Sequence, residues 1–113
     1  MIPSQMLKGM LEGCILEIIS KQETYAYEIS EKLSKYGFGE VSEGTIYPII
    51  LRLQKNEMIS ATIKDSNSGP KRKYYKLTSS GIESLIQFKS DWRMLDNAIN
   101  NLLERGNDND KVL

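Results

Sequence analysis

The 113-residue sequence contains no histidine. That removes histidine-dependent acid–base chemistry and histidine-liganded metal sites. A single cysteine, Cys14, can form no intrachain disulfide and fits a reducing, cytoplasmic setting. Set among Leu11, Ile15 and Ile18, it reads as a small buried hydrophobe, since a redox-sensing thiol wants a cationic, exposed site. No apolar run approaches the roughly 20 residues that span a bilayer, so no membrane partner is expected. The N-terminus MIPSQMLKGM lacks a basic stretch followed by an apolar one, so export is not expected either. Neither a P-loop nor a GxGxxG pattern occurs. Glu12, Glu17, Asp91 and Asp96 are left as a carboxylate cluster at a dimer axis, but charges flanking a helical seam are ordinarily solvated or paired. No enzyme is expected, and no cofactor or metal.

Net charge is also absent, with 15 basic and 15 acidic residues. The distribution is uneven. Residues 1–40 hold four basic and six acidic side chains, residues 41–80 seven and three, and residues 81–113 four and six. Positive charge is thus focused on the middle third, bracketed by two acidic flanks.

That middle third reads VSEGTIYPIILRLQKNEMISATIKDSNSGPKRKYYKLTSSG. Ser42 is a plausible N-cap for a helix reaching about Asn56, with Ile46, Ile49, Ile50 and Leu53 at i, i+3, i+4, i+7 as its buried face. Pro48 lies beyond the first turn and should kink the helix or end its regular start. ISATIK at 59–64 and KYYKL at 73–77 alternate as strands around a DSNSGP turn, giving a hairpin with a cationic tip. Upstream, a first helix is expected from about Ser4 to Ser20 and a second from about Ala26 to Tyr36. The first is apolar on more than one side, leaving a face beyond the core for a partner. Thr78 or Ser79 caps a last helix that reaches at least Leu103, with a stop at Gly106 and a fraying tail over 106–113. The fold class is therefore α+β, mainly α: a winged helix-turn-helix over 1–78 and a long C-terminal dimerisation helix over 79–105.

Leu85, Phe88, Trp92, Leu95, Ile99 and Leu102 are spaced 3, 4, 3, 4, 3, a heptad seam. It favours a homodimer built by this helix with the spare face of the first, including Met10; an intramolecular helix pair is the alternative. In such an arrangement Lys71, Arg72, Lys73, Arg52 and Lys55 would meet phosphates of double-stranded DNA. Ser42, Glu43, Thr45 and Tyr47 would face the bases, and two-fold symmetry would call for an inverted-repeat operator. A winged helix that binds protein instead of DNA is the competing reading.

YAYEI at 25–29, EGTIYPIILRL at 43–53 and GPKRKYYKLTSSG at 69–81 resemble the PadR family of bacterial transcriptional regulators. The single terminal helix resembles its small subfamily. IPSQMLKG and FKSDWRMLDNAINNL resemble the multidrug-sensing LmrR branch of it. The resemblance implies a cytoplasmic repressor with family tyrosines at Tyr27 and Tyr47 near DNA. It also implies an effector site at the dimer axis, where Trp92 stacks a planar aromatic and Met6, Gly13, Glu17, Ser20 and Asp96 line or rim the cavity. Gly13 and Glu17 would make that pore wider and more acidic, favouring cationic or amphiphilic aromatics. Periodicity alone leaves Trp92 open to the plainer role of filling a seam position.

Overall fold

The computed structural model describes residues 2–66 and 69–112, with side chains through Glu104. The elements run α1 (Ser4–Leu7), α2 (Leu11–Lys21), α3 (Ala26–Leu33), α4 (Glu43–Lys55), β1 (Ile59–Ser66), β2 (Gly69–Leu77) and α5 (Ser79–Val112). The expected first helix is two. Gly9 takes φ +91°, a left-handed conformation that breaks the helix between Leu7 and Leu11 while both leucines stay buried. The expected second helix ends at Leu33 and passes into a wide π-type turn, Ser34–Phe38, in which Gly37 sits at φ +102°.

Ile15, Ile29, Leu33, Ile46, Ile50 and Leu53 are completely buried, joined by Leu16, Ile18, Ile19, Ile59, Tyr75 and Leu85 in one core. Each such aliphatic side chain contributes about 1.5–3 kcal/mol when withdrawn from water. α2 lies at the centre, against α3 and β2 on one side and α5 on another. Its two apolar sides are therefore both used inside the chain, and the chain's own α5 covers part of the face expected for a partner, while Met6 stays exposed and Met10 half-buried. Two residues of the heptad seam do this. Leu85 is buried at 6% exposure, and the Phe88 ring lies flat enough on Gly13 that a Cβ there would come within 2.2 Å of it. Intramolecular packing claims the first two seam positions because α5 must first dock on its own domain. Gly13→Ala is expected to cost about 1–3 kcal/mol by overpacking, read as a lower urea midpoint with unchanged m-value.

α4 forms as its sequence implies. Ser42 caps it, its Oγ accepting from Thr45 N–H at 3.3 Å. Pro48 does not interrupt it. The missing N–H would have reached the Gly44 carbonyl, and Gly44 is exposed, so water can satisfy that oxygen. Past Lys55 the chain closes with Glu57 N–H donating to Gln54 O at 3.0 Å and Met58 N–H to Leu53 O at 2.9 Å. Glu57 holds the left-handed φ of +58° where glycine is usual.

β1 and β2 pair antiparallel from Ile59 opposite Leu77 to Lys64 opposite Arg72, and on to Ser66 opposite Gly69. The strands consume most of the expected DSNSGP turn; its Asn67 and Ser68 lie outside the described residues. Lys71, Arg72 and Lys73 are consequently on the body of β2, not at a tip. Thr24 adds a bridge on the far edge of β2, exchanging backbone hydrogen bonds with Tyr75 at 2.7 and 3.4 Å. α5 is capped by Thr78, whose Oγ1 accepts from Gly81 N–H at 3.1 Å. It continues across Gly106 to Val112, so the expected stop there does not occur.

Candidate nucleic-acid interface

Side chains alternate across a strand, and paired residues share a face. Thr24, Tyr75, Ile59 and Leu77 therefore form the inner face of the wing, where Thr24 and Tyr75 are buried. Glu23, Tyr25, Tyr74, Arg72 and Lys64 form the outer face. Lys73 falls on the inner side, beyond the core, and is exposed with Lys71. The basic run is thus split between two faces.

The outer face is tied together. Lys64 Nζ is 3.0 Å from Glu23 Oε2 and 5.4 Å from the Tyr74 ring centroid. Tyr74 meets Tyr25 edge to face, with centroids 5.3 Å apart, and the Arg72 guanidinium lies 4.4 Å over the Tyr25 ring. Motif reading had no means of finding Tyr25 and Lys64, because their partners come from different elements. Burial pushes the Tyr75 hydroxyl above its usual pKa, with a further contribution from the Tyr47 phenol of α4.

Anchored by Ile46, Ile50 and Leu53, α4 turns Thr45, Tyr47, Leu51, Arg52 and Lys55 outward, with Glu43 half-buried. Two of the expected base readers are partly engaged. Ser42 Oγ and Thr45 Oγ1 are 3.3 Å apart, so the cap ties these hydroxyls to each other. Arg52 differs from expectation: its Nε donates to Glu12 Oε2 at 3.3 Å, drawing it toward α2. An exposed pair of this kind is worth about 0.2–1 kcal/mol, so a phosphate can displace the carboxylate. Tyr27 is exposed near the start of α3, and Lys55 makes no ion pair among the described residues.

The residues expected around an effector do not converge within one chain. Met6 and Ser20 are on the surface, and Gly13 is buried under Phe88 of the same chain. Glu17 lies between Lys89 Nζ at 2.8 Å and Lys21 Nζ at 3.3 Å. These ammonium groups, Lys89 foremost, hold its carboxyl below the usual glutamate range, so it stays ionised with its charge paired inside its own chain. Asp96 accepts from Asn100, Asp91 from Gln87, and Glu12 is taken by Arg52; among the described residues of one chain the four carboxylates form no cluster. Cys14 is half-buried and its thiol is pushed up by burial, in keeping with an inert side chain. A groove of about 840 Å³ between α2, the π turn and α5 includes Glu17, Phe88 and Lys89 but not Trp92. Trp92 itself is 46% exposed, followed by exposed Leu95, Ile99, Leu102 and Leu103.

Residues 15–87 match the model of the transcriptional regulator PadR-like family. The chain belongs to that family. PadR-like proteins are regulators of transcription, which disposes of the enzymatic alternative. A PadR-like transcriptional regulator from Bacillus cereus strain ATCC 14579, known from a crystal structure, is 58% identical, with 88% of this chain and 96% of that one covered at a TM-score of 0.80. An uncharacterized protein of Lysinibacillus sphaericus is 34% identical over 106 residues, 92% of this chain and 97% of its own. Bacillus subtilis PadR, crystallised in complex with operator DNA, is 25% identical with a TM-score of 0.64, over 70% of this chain and 45% of that one. The two solved structures share the winged helix and agree with the mainly helical α+β class read from the sequence. Among the described residues no helix is long and apolar enough to cross a membrane.

Proposed function

We propose that this PadR-like chain is a DNA-binding repressor that works as a homodimer, and that a planar aromatic effector binds between its two copies near Trp92. The observation that carries the DNA reading is the arrangement of α4 beside the wing. α4 is anchored by three fully buried side chains and leaves Tyr47, Leu51 and Lys55 outside, and the wing carries Lys71, Arg72 and Lys73. The operator complex of the Bacillus subtilis relative supports the same reading. The dimer is supported by α5, whose Trp92, Leu95, Ile99, Leu102 and Leu103 are exposed among the described residues. An unpaired helix face of this kind marks an interaction site.

Repression and induction then share one physical basis. Two winged helices held at a fixed distance read an inverted repeat whose half-sites are about one helical turn apart. An effector acts only if it binds one spacing better than another, so equal affinity for both would leave repression intact. The Glu17 carboxylate is already paired with two lysines, so aromatic stacking carries effector binding more than negative charge does.

Mixing the protein with the DNA upstream of its own gene should give a shifted band that disappears as salt rises, by counterion release. No shift at any salt would leave the winged helix as a protein-binding module. In the same preparation the lone tryptophan, Trp92, reports on the effector site. Planar cationic dyes should quench or shift its fluorescence; unchanged emission across several dyes would leave a PadR-like regulator without this site.

A further inference from the structure

The outer face of the wing carries a stack that DNA binding by a basic hairpin does not by itself require. Lys64 and Arg72 stand directly opposite each other in the β1–β2 register, on one face. Like charges so placed repel. Glu23, a carboxylate on that face, is engaged with Lys64 at 3.0 Å, and among the described residues Arg72 has no anionic partner. Its guanidinium rests instead over the Tyr25 ring, at 4.4 Å. Tyr25 is steadied by the edge contact from Tyr74, and Tyr74 lies beneath Lys64. Thr24, next in the chain to Tyr25, is fixed by two backbone hydrogen bonds to Tyr75. The ring under Arg72 is thereby held from both the backbone and the side-chain direction.

A guanidinium keeps its N–H donors in its own plane. Held over the ring, and making no side-chain hydrogen bond among the described residues, it keeps those donors free for two phosphate oxygens. We propose that Tyr25 is a positioning residue that pre-orients Arg72 to grip a phosphate of duplex DNA, so that the wing binds through one ordered arginine as well as through its exposed lysines. This rests on the DNA-binding reading above. The ring adds no charge and touches no base; it acts by sparing Arg72 the ordering that binding would otherwise require. A lysine at 72 would keep the charge and lose the fork, so the two cations are not interchangeable here.

The test uses the full chain and a labelled short duplex of arbitrary sequence, because phosphate contacts carry no sequence information. Affinity is measured by anisotropy across a salt series. Tyr25→Leu should weaken binding about three- to tenfold while leaving the salt slope unchanged, since no charge is lost. Tyr25→Phe should bind as the parent does. Arg72→Lys should resemble Tyr25→Leu, whereas Arg72→Ala should also lower the slope by about 0.9, the loss of one phosphate contact. The decisive comparison is Tyr25→Leu made in the Arg72→Ala background, where it should cost nothing further. A similar loss in both backgrounds would mean that Tyr25 merely supports the fold, and would overturn the proposal. So would parent-like binding by Tyr25→Leu. A parent chain that binds no duplex even at low salt would instead overturn the DNA reading, and this inference with it.

Discussion

Replacing Leu95 and Ile99 together by aspartate is expected to leave a folded monomer and to lower operator affinity at least about a hundredfold. Both positions lie on the part of α5 beyond Phe88, and they are 41% and 44% exposed in the single chain. They contribute little to the winged-helix core, so charge there should not unfold it. Across a dimer seam, however, two carboxylates per chain would be brought together out of water, a cost of several kcal/mol per ion. Losing the dimer makes the second half-site a separate binding event and forfeits an effective-concentration gain of about 10² to 10⁴. Light scattering would show the mass halved, while non-specific phosphate binding at low salt persists more weakly. A double variant that remains dimeric would exclude this stretch from the interface.

The corresponding change at Leu85 should behave differently. At 6% exposure it belongs to the core, so Leu85→Asp should unfold the domain instead of dissociating it. That contrast marks the limit of the heptad pattern. Its spacing correctly indicates a helix with one apolar seam, but spacing does not say whose surface the seam meets. The first two positions turn out to face α2 of the same chain, and the pattern carries no sign of the division.

Other parts were legible for equally specific reasons. α4 has a serine cap and an unbroken i, i+3, i+4, i+7 face, and both signals are local. The wing strands alternate, so their existence was readable. Their length was not, because Asp65, Ser66, Gly69 and Pro70 have turn composition yet complete the ladder. The break at Gly9 was hidden because the apolar pattern continues on both sides of it. Among candidate site residues, the outward positions of Tyr47 and Lys55 followed from the buried stripe of α4 opposite them, whereas Lys71 and Lys73 share the side of buried Tyr75 and are exposed because they lie beyond the core. The engagement of Arg52 with Glu12, and of Arg72 with Tyr25, joins residues about 40 or more positions apart, beyond any periodicity.

Gly81→Ala should be among the most disruptive single substitutions, costing about 2–4 kcal/mol or more. A Cβ at Gly81 would stand 2.0 Å from the Met58 carbonyl oxygen, and that neighbour is backbone, so no rotamer change relieves it. Met58 cannot simply withdraw. Its N–H closes the end of α4 on Leu53 O, and its carbonyl accepts from Thr78 N–H at 3.0 Å. The Thr78 hydroxyl donates in turn to the Glu57 carbonyl at 2.6 Å. The end of the proposed recognition helix and the start of α5 are thus bolted at one point, and Gly81 is the clearance that allows it. Relief would come from moving α5 as a whole, which changes the angle at which each copy presents α4. The expected result is therefore twofold: a lower unfolding midpoint, and in whatever population stays folded, a greater loss of affinity for the paired operator than for an isolated half-site. Equal loss on both DNAs would mean that α5 is free to adjust without carrying the winged helix along, and would separate dimer geometry from operator choice.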